Sequence, residues 1–360
     1  MALSQFKIYS SQDRNAPSLN GLSGSMVSLL DACLVNGYGT KPGAGWLKPL
    51  PNDPLTSSIG VWQQPSGSGA ILLVADFGPT GSTTSGTRVA LATGYGYVYG
   101  LTGSLIGSGS GQFPTTAQWI GSGAYQKTIG SIESGSYMWR KSNVLTDQPR
   151  PWIMFADAYG FYLFVHSGDT TTTQYSSYWF GDIFSLKSAG GPDITKCILT
   201  GRRGDTTGTT GREDDGDLFL TATSTLLTAW PLIIQGGAWG GSPQYVYKTG
   251  DVGKNVTTNQ TNLLAQSINN CCVMTGLIPA ANPADNSLYI SPVWIVETTN
   301  GSLRGRMRGF WHLCHPASNF SDGQYISGAN EHAGKTFQIV KPGPFGGAFC
   351  FETSPTVETN

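Results

Sequence analysis

His312-Leu-Cys314-His315 is the densest group of potential metal ligands, because imidazole and thiolate groups are the usual ligands of zinc. If this segment is a strand, side-chain alternation places His312 and Cys314 on one face and His315 on the other. Cysteine pairs with the spacing of zinc motifs do not occur, and Cys271-Cys272 is adjacent rather than spaced. We therefore predict that the segment packs as a strand and that the chain holds no metal ion.

Carboxylates occur in two settings. Glu213–Asp217 gathers oxygen ligands of the kind that Ca²⁺ prefers, but the spacing is not that of an EF-hand, and nearby arginines favour a charge-balanced exposed loop. Asp76, Asp157 and Asp182 lie within strongly β-forming segments and could be imagined as the acid pair of a glycosidase. Each lies beside glycine or at a strand end, where aspartate is typical of turns, so we predict turn positions.

Nucleotide binding and acyl transfer are not predicted either. Gly334-Lys335-Thr336 looks like the end of a phosphate-binding loop, but Gly328 stands one residue too far upstream. The following residues, Phe337–Val340, alternate like a strand, whereas the motif requires a helix N-terminus. With only four histidines and no nucleophile-elbow context, no base for acyl transfer is visible. We therefore predict a non-enzymatic protein with no catalytic residue, metal or cofactor.

Composition excludes several classes of protein. The 21 basic and 22 acidic residues leave a net charge of −1, which argues against nucleic acid as a partner because binding phosphates needs a basic face. No continuous apolar run of about 18 residues predicts a membrane span, and the N-terminus lacks the pattern of a secretory signal. The six cysteines stand mostly in apolar runs, which favours unpaired thiols in a protein made in a reducing cytoplasm.

One segment predicts a helix. Between Met26 and Leu34, apolar residues recur at the spacing of one face of an amphipathic helix. Ser23 or Ser25 could cap its start, and Asn36-Gly37 could end it.

Nearly all other regular segments are short, rich in β-branched and aromatic residues, and bounded by turn-forming residues. They are Ile71–Ala75, Arg88–Ala92, Tyr95–Tyr99, Tyr137–Arg140, Trp152–Ala156, Phe161–His166, Lys196–Leu199, Leu288–Val296, Phe310–Cys314, Phe337–Val340 and Ala348–Phe351. Asp157-Ala-Tyr-Gly160 predicts a hairpin turn. We predict a mainly β protein of sandwich or barrel type with long Gly/Ser/Thr-rich loops at Gly78–Thr87, Gly103–Gly111 and Gly201–Gly216.

Composition shifts suggest three regions. Residues 1–46 form an N-terminal arm and helix, residues 47–235 a β domain, and residues 236–360 a C-terminal β region. The alternative is that the two β regions form one domain.

The opening of the chain carries a more specific pattern in Phe6–Asp13, Ala16-Pro17, Leu29–Lys41 and Gly43–Trp46. This pattern closely resembles the opening of a family of tailed-bacteriophage virion proteins. Further segments that match are Arg150–Asp157, Phe161–Val165, Phe180–Phe184, Asn282–Asp285, Leu288–Trp294, Arg304–Arg306, Gly309–His312, Asp322-Gly323, Gly334–Phe337 and Phe351–Ser354. The resemblance spans nearly the whole chain and departs from the pattern in the stretch Gly78–Gly111 and the loop Gly204–Asp217.

The resemblance implies a structural component of a tailed-phage virion, made in the bacterial cytoplasm and located in the particle. We expect a minor capsid, head-decorating or head–tail protein whose partners are other virion proteins and itself, in a symmetric homo-oligomer. The alternative is a baseplate or tail-tip protein, or one that recognises a host-surface glycan by stacking aromatic rings. The aromatic candidates for that alternative are Trp46, Trp62, Trp119, Trp239 and the tyrosines of Tyr95–Tyr99.

The N-terminal arm is the candidate assembly contact. Phe6, Ile8 and Tyr9 belong to a strand-like segment near a chain end, which could add to the sheet edge of a neighbouring subunit. The alternative is that the same segment is a first strand packed in its own domain.

Overall fold

The computed structural model of the chain describes residues 3–52, 58–76, 88–102, 105–111, 136–168, 175–186, 196–200, 202–203, 228–231, 244–247, 281–297, 303–316, 319–341, 347–354 and 356–357. Strands account for 43% and helices for 10% of the residues, which confirms the prediction of a mainly β protein. In the described ranges, no helix has the length and apolar character needed to cross a bilayer.

The described ranges contain 21 strands. They are Leu3–Ser4 (β1), Lys7–Ser10 (β2), Ile59–Gln63 (β3), Ile71–Ala75 (β4), Arg88–Thr102 (β5), Leu105–Gly111 (β6), Ser136–Ser142 (β7), Trp152–Ala156 (β8), Gly160–His166 (β9), Tyr175–Asp182 (β10), Phe184–Ser185 (β11), Cys197–Thr200 (β12), Arg202–Arg203 (β13), Thr228–Pro231 (β14), Gln244–Tyr247 (β15), Ile290–Glu297 (β16), Leu303–Pro316 (β17), Tyr325–Ser327 (β18), Thr336–Val340 (β19), Gly347–Glu352 (β20) and Thr356–Val357 (β21).

One antiparallel sheet of 13 strands has the order β18-β19-β20-β17-β16-β15-β14-β12-β10-β9-β8-β2, with β11 paired to β17. It contains strands from residues 1–46, 47–235 and 236–360, so the three regions suggested by composition share one sheet. A second sheet has the order β13-β7-β5-β4-β3, with β6 paired to β5, and β1 pairs with β21. The predicted hairpin joins β8 to β9, whose antiparallel register runs from Ala156 opposite Phe161 to Trp152 opposite Val165.

Strands β8, β9 and β10 are buried on both faces, which explains why β8 and β9 are continuous apolar runs rather than alternating ones. Side chains on one face pack with the helix; they are Trp152, Met154, Ala156, Phe161, Leu163, Val165, Tyr178 and Phe180. Side chains on the other face are Phe155, Tyr162, Phe164 and Trp179. These pack on aromatic rings of β17 and β20, with Phe155 stacked on Phe351 at 4.1 Å between ring centroids.

The helix α1 spans Ser25–Leu30 and continues as a π-helix over Asp31–Asn36, after which Gly37 ends it. Its start differs from the prediction. Gly24 occupies the N-cap position with φ 80°, and neither Ser23 nor Ser25 caps the helix. The Ser23 hydroxyl instead donates to the main-chain oxygen of Asp76 at 2.7 Å. A side chain beyond strand β4 takes over the capping role, as described below.

Candidate functional site

The aspartates that stand at strand ends are buried, and each contacts a cation. Asp76, Asp157 and Asp182 are at most 4% exposed, and their carboxylates pair with Lys141, Arg308 and Lys196, respectively. Asp157 also holds the predicted turn position. No local pattern indicates these ion pairs, because the partner residues lie far from the aspartates along the chain.

Asp76 and Lys141 form the most deeply buried of these pairs. The distance from Lys141 Nζ to Asp76 Oδ1 is 2.5 Å, and both side chains are 0% exposed. The ammonium also donates to the Ser25 hydroxyl at 3.1 Å and to the main-chain oxygen of Leu22. The other carboxylate oxygen, Oδ2, accepts the N–H of Met26 at 2.8 Å. The pair therefore joins β4 and β7 to the first turn of α1 and replaces the missing N-cap side chain.

Asp157 and Arg308 join two distant parts of the 13-stranded sheet. Arg308 Nη2, in β17, lies 3.1 Å from Asp157 Oδ2, in the turn between β8 and β9. The other oxygen of Asp157 accepts the N–H groups of Tyr159 and Gly160 at 2.8 and 2.9 Å. The Arg308 guanidinium also lies 4.2 Å from the ring centroid of Tyr159. One carboxylate thus closes the hairpin and binds a buried cation.

Asp182 binds a loop rather than a reacting group. Its Oδ2 accepts the N–H of Ser68 at 2.9 Å, its Oδ1 accepts the Ser68 hydroxyl, and Gln64 Nε2 lies 3.4 Å away. Lys196 approaches at 3.4 Å from a more exposed position. Burial raises the pKa of the neighbouring Cys197 thiol well above its usual value, and the charge of Asp182 acts in the same direction. Cys197 therefore stays a neutral thiol and a poor nucleophile.

Of the residues considered as metal ligands, His315 is the one whose side chain is described. His315 is buried, and its Nε2 accepts the N–H of Tyr289 at 2.8 Å, which is a packing role. His312 and Cys314 lie on β17, as predicted, but their side chains are outside the description, as are Cys271-Cys272 and Glu213–Asp217. Among the described residues, no group of three His, Cys, Asp or Glu side chains is placed to hold a metal ion. Of the cysteines in those ranges, Cys33 and Cys197 are buried free thiols, and Cys350 is also buried.

The segment that looks like a phosphate-binding loop forms a turn and a strand. A short 3₁₀ helix at Asn330–His332 precedes Gly334, which has φ 82°, and Thr336 begins β19. The Lys335 ammonium pairs with the buried carboxylate of Glu352 at 3.1 Å. The predicted strand after the motif is confirmed, and no helix N-terminus lies at the position where the motif would need one.

Two of the tryptophans considered as sugar-binding platforms belong to the core, so the expectation that they are exposed is wrong. Trp46 is 3% exposed and donates its indole N–H to the main-chain oxygen of Asp157 at 2.7 Å. Trp62 is 0% exposed and donates to Asp31 Oδ1 at 2.9 Å. Because each indole N–H has an internal acceptor, burial leaves no polar group unsatisfied. Trp119 and Trp239 lie outside the described residues, and Tyr95–Tyr99 lie on β5, where side chains are not described.

The N-terminal segment is a strand of its own sheet. β2 pairs with β8, the Phe6 and Tyr9 side chains are 6% and 0% exposed, and Ile8 is partly buried against the same core. The Phe6 ring lies 5.8 Å from that of Tyr162, and the Tyr9 hydroxyl donates to the oxygen of Pro42 at 2.8 Å. This is the second alternative of the sequence analysis. A contact of Phe6, Ile8 and Tyr9 with a neighbouring subunit remains a prediction that would require the segment to leave this sheet.

The outer edge of β2 is closed by side chains. Its outward main-chain groups belong to Ile8, whose oxygen accepts Lys41 Nζ at 2.8 Å, and Ser10, whose N–H donates to Asp13 Oδ2 at 2.8 Å. Lys41 Nζ and the Tyr38 hydroxyl also bind Asp13, at 2.6 and 2.7 Å. Burial opposes ionisation of Asp13, but the hydrogen bonds from Lys41, Tyr38 and Ser10 outweigh it and lower the pKa of this carboxyl. This edge is therefore blocked for strand addition.

At the opposite edge of the sheet, no strand of the described ranges pairs with the outer side of β18. Gln324 and Gly328 direct their main-chain hydrogen bonds toward β19, so alternation directs the N–H and C=O of Tyr325 and Ser327 outward. Within the described residues, no hydrogen bond reaches these outward groups. The side chains of Tyr325 and Ser327 are exposed, with Tyr325 at 57%, and the strand carries neither lysine nor proline. It therefore lacks the features that commonly protect a sheet edge, apart from its short length.

Neither the models of known protein families nor the curated protein sequences match this chain. Two features of the structure bear on function. The buried acidic groups at the strand ends are engaged with cations inside the fold, and the two edges of the large sheet differ in their capacity to pair.

Proposed function

We propose that this chain is a non-enzymatic structural subunit of a tailed-bacteriophage virion, most simply a minor capsid, head-decorating or head–tail protein. The similarity of its opening segment to such proteins supports this setting. The open edge at β18 is the observation that carries the role, because an unpaired strand edge binds another strand through main-chain hydrogen bonds and needs no catalytic group. The partners are other virion proteins and further copies of the chain, and no metal or cofactor takes part.

The architecture proposed for this subunit is a β-sandwich. Strands β8, β9 and β10 are separated from β17 and β20 in the order of the 13-stranded sheet, yet their side chains share one core. A sheet that folds over on itself brings such strands face to face. The Asp157–Arg308 pair would then join the two layers. A rigid body of this kind suits a subunit whose contacts are repeated by symmetry.

Purified phage particles are the direct test of the virion role. The chain should co-purify with infectious particles through a density gradient and should appear in a particle reconstruction at symmetry-related positions. Density at the head or neck would support the decoration or head–tail role. Density at the baseplate or tail tip would favour the alternative, and absence of the chain from particles would contradict the proposal.

Proline at position 327 tests the open edge. Ser327→Pro removes an outward N–H while leaving the inward bonds of β18 intact, so the subunit should fold normally but lose strand pairing. We expect the oligomeric fraction in native mass spectrometry, and incorporation into particles, to fall well below those of the wild type. Ser327→Ala is the matched control and should assemble normally. If Ser327→Pro assembles like the wild type, the β18 edge is not an assembly contact.

A further inference from the structure

Two arginines of β17 contact the same aromatic ring but differ in their partners. The guanidinium carbons of Arg306 and Arg308 lie 4.9 and 4.8 Å from the ring centroid of Phe184. Arg308 is 4% exposed and paired with Asp157. Arg306 is partly exposed, and within the described residues no hydrogen bond or ion pair to its guanidinium is found. Arg308 therefore has an internal counter-ion, whereas none contacts Arg306 in the described part of the chain.

The Arg306 guanidinium lies near two aromatic rings. It lies 4.9 Å from the centroid of Phe184 and 5.4 Å from that of Trp311. Aromatic rings occupy the faces of a guanidinium and leave its N–H donors available at the edges. The carboxylate whose charge acts on Arg306, Glu352, is 2% exposed and bound to Lys335 at 3.1 Å. Burial lowers the pKa of Arg306, and the charge of Glu352 acts in the opposite direction.

A bulge in β17 places Trp311 beside Arg306. The two residues are an odd number of positions apart, so a regular strand would direct them to opposite faces. Gly309 lies between them with φ 57°, and the register jumps from Trp294 opposite Arg306 to Pro292 opposite Trp311. β-Bulges commonly redirect a side chain and are frequent next to binding sites. The left-handed glycine therefore creates the pairing of ring and cation.

Two further nitrogen atoms of this cluster lack partners. Trp311 is 7% exposed, and its Nε1 is buried without a hydrogen-bond acceptor in the described part of the chain. The ring of His332 lies 4.7 Å from that of Trp311. Its Nε2 lies 3.4 Å from Glu331 Oε1, whereas its Nδ1 is buried and unpartnered among those residues. Unsatisfied buried polar groups are costly and rare, and they point to a missing partner.

We infer that Arg306, with Trp311 and His332 beside it, forms a binding site for an oxyanion, such as a carboxylate, phosphate or sulfate group. The ligand reaches the partly exposed edge of the guanidinium, where two parallel N–H donors match two oxygen atoms of the anion. The aromatic rings fix the guanidinium in place before the ligand binds, which reduces the entropy lost on binding. This inference does not depend on the proposed virion role.

Binding is measured by isothermal titration of the full chain with sodium sulfate, sodium phosphate or sodium acetate, at constant ionic strength set with sodium chloride. Acetate represents the carboxylate of an acidic side chain or sugar, and the tetrahedral anions represent free or esterified oxyanions. Arg306→Gln should weaken binding of the preferred anion by at least about tenfold, the loss expected for one charge-assisted hydrogen bond. Arg14→Gln, which removes an exposed arginine far along the chain, is the control and should bind like the wild type.

A second measurement uses the unmodified protein and therefore does not depend on the folding of a variant. Phenylglyoxal should label Arg306 in the native chain, and the anion that binds best should slow this labelling without protecting Arg14. Equal binding by the wild type and Arg306→Gln would overturn the inference. Binding of none of the three anions, or labelling of Arg306 unaffected by all of them, would also overturn it.

Discussion

Replacing Asp76 with alanine should lower the free energy of unfolding by about 3–5 kcal/mol, the range for removing one partner of a buried ion pair. The Lys141 ammonium would lose this carboxylate in a site where its side chain is 0% exposed. The N–H of Met26, in the first turn of α1, would lose its acceptor as well. Urea unfolding followed by tryptophan fluorescence measures the change, since several tryptophans are buried in the same fold.

Three variants separate the contributions at this site. Asp76→Asn keeps an oxygen that can accept the Met26 N–H but removes the charge, so it should be less destabilising than alanine. Combining Asp76→Leu with Lys141→Met removes both charges, and such apolar replacements are often neutral or stabilising, so stability should largely return. Asp147→Ala removes an exposed aspartate and should change stability by less than about 0.5 kcal/mol. An Asp76→Ala protein as stable as Asp147→Ala would refute the role of the pair.

The part of the fold that follows from local pattern could be predicted from the sequence. The β8–β9 hairpin depends on two apolar runs and the turn residues Asp157–Gly160, all close together in the chain. The strand after Lys335 follows from simple alternation. The spacing of apolar residues predicts a helix between Met26 and Leu34, where the structure has an α-helix over Ser25–Leu30 followed by a π-helix over Asp31–Asn36.

The long-range features could not be predicted, because they depend on residues that meet only in the folded chain. Asp76 caps α1 from beyond strand β4, so the local serines were chosen wrongly as caps. The Trp62 indole can be buried because Asp31 accepts its N–H. The sequence does not show this contact, since the two residues meet only in the folded chain. A glycine within a strand often marks a bulge, so the sequence can suggest a bulge at Gly309. The sequence does not show which residues that bulge brings together.

The same limit applies to the candidate site. Arg306 and Arg308 both belong to β17, and both lie beside the Phe184 ring. Nothing in the local sequence distinguishes the two arginines. The difference lies in Asp157, which reaches Arg308 from a turn in another part of the sheet. An internal counter-ion marks Arg308 as structural, whereas no counter-ion contacts Arg306 among the described residues.

Replacing Asp157 with alanine should also lower the free energy of unfolding by about 3–5 kcal/mol, because Arg308 would remain buried without this carboxylate. The hairpin would lose the acceptor for the N–H groups of Tyr159 and Gly160 at the same time. Asp157→Asn keeps an oxygen for these two groups, so it should be about 1–3 kcal/mol less destabilising than alanine, the typical contribution of two hydrogen bonds. Urea unfolding midpoints of the two variants and the wild type give the comparison.

The decisive control for Asp157 is the partner substitution. Arg308→Met in the Asp157→Asn background removes the cation that would otherwise be buried without a counter-ion, so stability should rise above that of Asp157→Asn alone. Methionine retains an apolar side chain beside the Phe184 ring, so part of the packing of Arg308 on that ring is preserved. If the double variant is less stable than Asp157→Asn by the full cost of Arg308→Met alone, the two residues act independently. The ion pair would then not be what joins the β8–β9 turn to β17.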